Sequence, residues 1–387
     1  MVNAIPLSLY VHFPWCVKKC PYCDFNSHAL RGDLPERAYV DALIQDFQQQ
    51  SGSLSGRKIQ SIFMGGGTPS LISPGEIHRL LDALRSSRCL EPGAEITLEA
   101  NPGALDESFF PAYLQAGVNR LSIGVQSFHD ELLQKIGRIH SAEQALSAIS
   151  GAQATGFERI NVDLMYGLPG QSLQQAGADI EQALATGVSH LSVYQLTIEP
   201  NTEFAVHAPV LPDSDQYWAM HEQAQNQLKN AGFEQYEVSA YTRGSACQHN
   251  LNYWQFGDYL AIGAGAHGKL SHVNLSGGLE INRYWNHRQP KAYLQAAEKG
   301  SFCAEIKAVA PHEQDFEFLM NALRLKAGFS LDQYQQYTQG NVQALLRKLS
   351  PFLKKNWLYQ DGKNISPTEE GYCFLDSMLL EFLPDHH

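Results

Sequence analysis

Along the first half of the chain the apolar residues follow two alternating rhythms. Short apolar and β-branched runs at Leu7 to Phe13, Ser61 to Met64, Glu95 to Ala100, Arg120 to Val125, Ile160 to Met165 and His190 to Leu196 read as strands, and the stretches between them, apolar at three- and four-residue spacing, read as helices. Ser73-Pro74-Gly75-Glu76 places an N-cap serine, a proline at the first helical position and a glutamate at the third ahead of Ile77, Leu80, Leu81 and Leu84 on one helical face. Ser141 and Gln144 form a second capping box. Strands alternating with helices pair in parallel through right-handed crossovers, and six such units predict an α/β fold closed only in part, a partial (β/α)6 barrel. Ligands of such folds gather at the C-terminal ends of the strands, so the residues just after each run are the first place to look for chemistry.

After about residue 290 the rhythm becomes helical. Phe316, Leu319, Met320 and Leu323 recur at helical spacing, an Asp361-Gly362 turn joins two short runs, and Ser366-Pro367-Thr368-Glu369 opens another helix. The expected division is a barrel unit over residues 1–290 and a smaller, mainly helical unit over 291–387, with helices and a hairpin of winged-helix type. Lys and Arg number 28 against 40 Asp and Glu, a formal charge of -12, which repels phosphate backbones and anionic headgroups. No nucleic-acid partner is therefore expected, and the hairpin reads as a packing or docking element. With 44% hydrophobic and 18% charged residues the chain has ample material for a core, which excludes disorder as its main state. MVNAIPLSLYVHF has no basic stretch ahead of an apolar segment, and no run of about 18 apolar residues follows, so a cytoplasmic protein without stable membrane insertion is expected.

The seven cysteines are unevenly spread: Cys16, Cys20 and Cys23 fall within eight residues, and Cys89, Cys247, Cys303 and Cys373 stand alone as small buried hydrophobes would. Cys16-Val-Lys-Lys-Cys20-Pro-Tyr-Cys23 follows the first strand, where a loop can wrap three thiolates around one site. Structural zinc takes four protein ligands, and His12 or His28 could supply the fourth; a [4Fe-4S] cluster held by three cysteines instead leaves one iron open. Gly65-Gly66-Gly67-Thr68-Pro69 follows the second strand, either as a tight turn or as backbone that a ligand can approach closely.

Together these features resemble the radical S-adenosylmethionine superfamily. Within it, Tyr10-Val-His-Phe-Pro-Trp-Cys16 and Asp163-Leu-Met-Tyr-Gly-Leu-Pro169 resemble the oxygen-independent coproporphyrinogen III oxidase group, over nearly the whole chain. The resemblance implies a [4Fe-4S] cluster on Cys16, Cys20 and Cys23 whose open iron takes the amino and carboxylate groups of S-adenosyl-L-methionine. It also implies that Tyr10, Gly66, Gly67, Thr68, Glu99, Gln126, Arg138 and Asp163 bind that cofactor. Arg138 suits a carboxylate, Gln126 and Asp163 suit ribose hydroxyls, and Tyr22 either packs on the adenine or covers the cluster.

The oxidases resemble CxxxCxxCxC, and this chain has Phe25 at the last position, which can neither ligate nor donate a hydrogen. Cys23-Asp24-Phe25 is instead similar to the sister group, the HemW-type heme chaperones, and His249-Asn250-Leu251-Asn252-Tyr253-Trp254 matches the HNxxYW motif that group associates with heme. An imidazole can ligate heme iron and aromatic rings can pack on a porphyrin, although one histidine beside two aromatics also occurs in ordinary loop packing. His267, after Gly263-Ala264-Gly265-Ala266, is open to the same two readings. The resemblance thus implies a carrier of heme to recipient hemoproteins, with cluster and S-adenosylmethionine supporting assembly, homodimer formation or transfer. The competing expectation is a radical enzyme that decarboxylates a porphyrinogen, and Phe25 leans against it.

Overall fold

The computed structural model describes residues 5–54, 56–104, 106–274 and 277–383. Six parallel strands form its centre in sequence order: β1 (Leu7–Phe13), β2 (Ile59–Gly66), β3 (Leu90–Ala100), β4 (Arg120–Gln126), β5 (Ile160–Tyr166) and β6 (His190–Gln195). Each expected strand is present, and four of the six run on by one to five residues beyond the expected run, because backbone pairing continues through neighbours such as Ile59, Gly65, Gly66 and Leu90. Helices α1 (Glu36–Ser51), α2 (Pro74–Ser86), α3 (Phe110–Ala116), α4 (Ala142–Thr155) and α5 (Leu173–Ala185) cover the outer face. The Ser141–Gln144 capping box at α4 is formed in both directions. At α2 the box is not closed: Ser73 is the N-cap without a side-chain bond, its N–H donates to Glu36 at 2.8 Å, and Glu76 is drawn instead onto Arg79 at 2.6 Å.

The sheet continues beyond the six expected strands. On one side β6 pairs antiparallel with β8 (Ala240–Thr242), which pairs with the short β7 (Glu234–Gln235), after the long helix α6 (Ser214–Asn230). On the other side β1 pairs in parallel with β9 (Asp258–Ile262), followed by antiparallel β10 (His267–Val273), β11 (Leu279–Asn286) and β12 (Cys303–Ala308). The motif His249–Trp254 lies on the short helix α7 (Gln248–Trp254), immediately ahead of β9.

Along each central strand the two faces differ in chemistry. Leu7, Leu9, Val11 and Phe13 of β1, with Leu121, Ile123 and Val125 of β4 and Ile160, Val162 and Leu164 of β5, join the core under the helices. The alternate residues Ser8, Tyr10 and His12, Glu95, Thr97 and Glu99, Ser122, Asn161 and Asp163 face the barrel interior. Strands buried on both faces ordinarily read as unbroken apolar runs. A polar lining here means that the interior is a site with chemistry in it as well as a packed core.

The expected change of pattern near residue 290 coincides with α8 (Pro290–Lys299), whose Tyr293 and Ala296 join the core of the large sheet, as does Phe302. A second core gathers Val309, α9 (Gln314–Ala322), α10 (Leu331–Thr338), α11 (Val342–Lys354) and α12 (Leu375–Leu380), and Phe256 and Ile281 from the large sheet's side join it. The Asp361-Gly362 turn joins β14 (Leu358–Asp361) and β15 (Asn364–Pro367), with β13 (Phe329–Ser330) pairing on β15. Among the described residues no helix is long and apolar enough to cross a membrane.

Candidate functional site

At the C-terminal ends of the six strands lies a cavity of about 340 Å³. Cys16, Cys20 and Cys23 line one side of it; Gly66, Gly67 and Thr68, then Glu99, Gln126, Arg138 and Asp163, line the rest. The cysteine loop is anchored at both ends, by β-type pairing of Trp15–Cys16 with His28–Ala29 and by the Cys23 N–H donating to the Cys20 carbonyl at 3.1 Å. Burial pushes the Cys16 thiol above its ordinary value, opposed by the Thr68 hydroxyl. Among the described residues no three His, Cys, Asp or Glu side chains converge closely enough to ligate a single ion. The three thiols share one wall of the cavity.

The glycines are required by close approach. A Cβ on Gly66, whose φ is +113°, would lie 2.4 Å from the His12 ring, and one on Gly67 would lie 2.5 Å from the Trp15 carbonyl oxygen. Their N–H groups are already engaged: Gly66 donates to Glu99 at 3.1 Å, Gly67 to the Phe13 carbonyl at 2.7 Å and Thr68 to the Trp15 carbonyl at 2.8 Å. This turn therefore locks the cysteine loop onto β2 and presents carbonyls, more than N–H donors, to the cavity. His12 sits behind it. Its Nε2 faces the Asn26 carbonyl at 2.9 Å, an acceptor only, so Nε2 carries the proton and Nδ1 accepts from the Tyr10 hydroxyl at 2.9 Å. Burial lowers the His12 imidazole to about 4, keeping it neutral. Tyr10 itself packs on Phe63 inside the barrel, behind the cavity and outside its lining.

Glu99 and Asp163 bring two carboxyls to the cavity. Burial and then the Asp163 charge push Glu99 up to about 8, against the Gly66 N–H that favours its ionised form. Asp163 accepts from the Asn161 amide at 2.7 Å and the Ser122 hydroxyl at 3.1 Å, and Asn161 in turn accepts from His190 at 2.7 Å. Arg138 bonds the Gly124 carbonyl and lies 3.9 Å from the Cys20 sulfur, while its Nε, sealed from solvent, has no partner. Gln126 holds φ at +71°, a strained value for a residue with a side chain, at a break in the β4–β5 register. Its carbonyl accepts from Tyr194 at 2.9 Å, which leaves its amide N–H groups toward the cavity. A guanidinium with an unmet N–H, two carboxyls and an aimed amide form a donor set for a small zwitterion bearing hydroxyls.

Ser122, Ser192, Tyr194 and Asn101 also line the cavity and were not anticipated. Their signal was available: Ser192 and Tyr194 occupy alternate, inward positions of β6. Phe25, at the position where the oxidase pattern has its further cysteine, lies on the rim with 61% of its surface exposed.

The HNxxYW residues sit elsewhere. His249 enters the barrel from the N-terminal ends of the strands, where its Nδ1 meets Ser61 at 3.1 Å and its ring stacks on Phe63 at 5.1 Å. Five residues of strand separate Ser61 from Gly66, roughly 16 Å. His249 is 1% exposed, burial lowers its imidazole to about 3, and its Nε2 has no partner. Tyr253 packs edge-on against it at 4.9 Å, and Trp254 lies under the Arg324 guanidinium, 4.3 Å away, where the second core begins. The cysteine cavity and the histidine motif are thus at opposite ends of one barrel. His267 stacks at 5.8 Å on Trp285 of the neighbouring strand, which accounts for its ring.

A family profile described as the radical SAM superfamily matches residues 10–183, and one described as the HemN C-terminal domain matches residues 309–374. The chain is 46% identical over 98% of its length, and 98% of the relative's, to a heme chaperone HemW of Haemophilus influenzae. It is 45% identical over the full length of both chains to a heme chaperone HemW of Escherichia coli. In structure it resembles coproporphyrinogen III oxidase (HemN) of Escherichia coli, a radical SAM enzyme, with a TM-score of 0.82 at 24% identity over 98% of this chain and 90% of that one, a likeness of fold. With its partial α/β barrel, its helical C-terminal unit and this identity over its whole length, the chain belongs to the HemW family of the radical SAM superfamily.

Proposed function

We propose that this protein is a heme carrier that binds heme and delivers it to hemoproteins, and that it carries a [4Fe-4S] cluster with S-adenosyl-L-methionine. The observation that carries this reading is the full-length identity to proteins named heme chaperone HemW, and Phe25 in place of a further cysteine agrees with it. Cys16, Cys20 and Cys23 would supply three thiolates, and the reduced cluster with S-adenosylmethionine supplies radical chemistry when bound. The chain's own groups fit that pair: the unmet Arg138 Nε suits the carboxylate of the methionine end, and the Glu99 and Asp163 carboxyls suit the amino group and ribose hydroxyls. The carboxyl, amide and guanidinium groups around the cavity match the polar ends of this cofactor.

Heme contact by His249, Tyr253 and Trp254 belongs to the proposal as well. It needs α7 to draw away from Ser61 and Phe63, after which a neutral imidazole with a free Nε2 is a ready iron ligand. The acidic surface fits hemoprotein partners and a cytoplasmic workplace without nucleic acid, and a homodimer is the assembly to look for in solution.

The test is to load the anaerobically cluster-reconstituted protein with heme and mix it with a heme-free hemoprotein. Transfer of stoichiometric heme, with coproporphyrinogen III left unconsumed under S-adenosylmethionine and reductant, is the expected result. Consumption of the porphyrinogen without heme uptake would replace the carrier with the enzyme.

A further inference from the structure

We infer that Asn161 and His190 are positioning residues for the cofactor cavity: through one hydrogen-bond chain they fix the Asp163 carboxylate so that it presents its free lone pairs to the ribose hydroxyls of S-adenosylmethionine. This rests on the cofactor reading above and adds two residues that stand behind the cavity without lining it.

The chain starts at the cavity and runs down the barrel interior. Asp163 borders the cavity, and Asn161 lies two residues earlier on β5, so both side chains point inward and Asn161 sits one step deeper. His190 begins β6 and is the register partner of Asn161. The Asn161 amide donates to one Asp163 oxygen at 2.7 Å and to the Ser122 hydroxyl at 2.8 Å, and Ser122 donates to the other Asp163 oxygen at 3.1 Å. The Asn161 carbonyl takes His190 Nδ1 at 2.7 Å and the Ser192 hydroxyl at 3.1 Å. Two donated and two accepted bonds use the whole capacity of that amide.

These contacts leave one arrangement of protons. An ionised carboxylate only accepts, so the Asn161 N–H groups face Asp163 and its carbonyl faces His190. A carbonyl also only accepts, so His190 carries its ring proton on Nδ1. Burial, and then the Arg120 charge, push this imidazole well below its ordinary value and keep it neutral, which leaves Nε2 to accept from the Tyr236 hydroxyl at 3.0 Å. Tyr236 is held in turn at the far end, where its carbonyl accepts from the Lys326 N–H at 3.1 Å. From Tyr236 to Asp163 each side-chain bond donates toward the carboxylate, and bonds aligned in this way polarise and strengthen one another.

Apolar side chains at positions 161 and 190 would fill the interior without the cost of desolvating polar groups. The polar pair supplies orientation instead. Asn161 and Ser122 each take one side of the Asp163 carboxylate and set its rotation, and the lone pairs left over belong to the cavity side, where neighbouring ribose hydroxyls can donate to them. Burial raises the Asp163 carboxyl, and the bonds from Asn161 and Ser122 oppose that rise, so the same chain favours the ionised form that accepts from hydroxyls.

The experiment is anaerobic titration calorimetry of the full-length, cluster-loaded protein, without reductant so that the cofactor is not consumed. Two probes are compared: S-adenosylmethionine, which has the ribose, and methionine, which has the amino and carboxylate groups alone. His190→Phe keeps a flat ring and removes the Nδ1 donor. It should bind S-adenosylmethionine about tenfold more weakly, the scale of effect seen when a group that orients a ligating side chain is lost, and bind methionine as wild type does. His190→Asn returns an N–H near the Nδ1 position and should restore the affinity, a rescue that a general packing role would not show. Tyr236→Phe is the milder change and should weaken binding only about threefold, the worth of one neutral hydrogen bond, because Asn161 alone still holds the proton on Nδ1. Unchanged S-adenosylmethionine affinity in His190→Phe and Tyr236→Phe, equal weakening for methionine, or no rescue by His190→Asn would overturn the assignment and leave the cofactor reading standing. No S-adenosylmethionine binding by wild type would remove the cofactor reading itself, and this inference with it.

Discussion

Removing the Asp258 carboxylate should destabilise this protein more than removing the lysine paired with it. Asp258 begins β9 directly after the HNxxYW helix, is wholly buried, and accepts from Arg57 at 2.7 Å, Lys269 at 3.0 Å, the Ser271 N–H at 2.9 Å and the Ser271 hydroxyl at 2.8 Å. Burial alone would raise its carboxyl; the Lys269 and Arg57 charges and the bonds from Arg57 and Ser271 outweigh it and hold the group below its ordinary value. Asp258→Ala leaves two buried cations facing one another with no anion between them, and breaking a buried pair in this way costs roughly 3–5 kcal/mol. Lys269→Met removes one cation and keeps a chain of similar length. Its ammonium also donates to the Phe256 carbonyl at 3.0 Å and lies 4.0 Å from the Phe256 ring centre, but Asp258 retains Arg57 and Ser271. That loss is on the order of 1.5–3 kcal/mol, the worth of hydrogen bonds to a charged group.

Urea unfolding of cluster-loaded protein, followed by circular dichroism and tryptophan fluorescence, measures both. The order Asp258→Ala worse than Lys269→Met is the expected result. The linkage adds a sign. A carboxyl whose folded value is depressed contributes stability above its unfolded value, about 3.9, and loses it as pH falls through the folded value. The gap between wild type and Asp258→Ala should therefore narrow below about pH 4. Equal losses in the two variants, or an Asp258→Ala loss under about 1 kcal/mol, would show that the carboxylate is not what neutralises these cations.

Two further outcomes follow from the two ends of the barrel. Cys16→Ser, Cys20→Ser or Cys23→Ser should each abolish cluster loading, measured as iron and acid-labile sulfide after anaerobic reconstitution; full four-iron content in any one of them would refute the ligand set. His249, buried with its imidazole lowered to about 3, binds a proton in the unfolded chain but not in the folded one between its ordinary 6.5 and that value, so it costs stability as pH falls through this window. His249→Gln should flatten the decline by up to about 1.4 kcal/mol per pH unit between pH 6 and 4, and parallel stability profiles would contradict the sealed, neutral imidazole.

Much of this architecture was legible because the central strands are simple. Leu7, Leu9, Val11 and Phe13 mark β1 against the helices, and the same alternation marks its neighbours, so six units could be counted without any knowledge of tertiary contacts. Strands β9 to β12 were not legible. Asp258–Ile262 is a short buried run with no crossover helix after it, and its place beside β1 is fixed by register contacts such as Leu9 to Leu260 that lie far apart in sequence. The α2 capping box shows the reverse error: Ser73 and Glu76 have the right spacing, but Arg79 and the Glu36 carboxylate compete for the same groups and win.

Spacing also located the cysteine end of the barrel better than the histidine end. Cys16, Cys20 and Cys23 follow a strand, and in a parallel barrel that alone assigns them to the C-terminal rim, where Gly66, Glu99 and Gln126 lie at the ends of their own strands and Asp163 reaches in from β5. His249 to Trp254 follow a loop and precede β9, so local sequence carries no information about which end α7 closes. That choice is made by Ser61 and by Glu95, whose carboxylate accepts from the His249 N–H at 3.3 Å and the Cys247 thiol at 3.3 Å. Ser61 lies near the start of β2, and Glu95 sits beside it in the β2–β3 register. With the cysteine triplet at one mouth of the barrel and the His249 motif plugging the other, chemistry at the first cannot reach the second without moving α7. The separation is itself an argument for a carrier, because a porphyrin-processing enzyme needs its substrate and its cluster in one cavity, and the cavity of about 340 Å³ beside these cysteines carries carboxyl, amide and guanidinium groups that suit the cofactor.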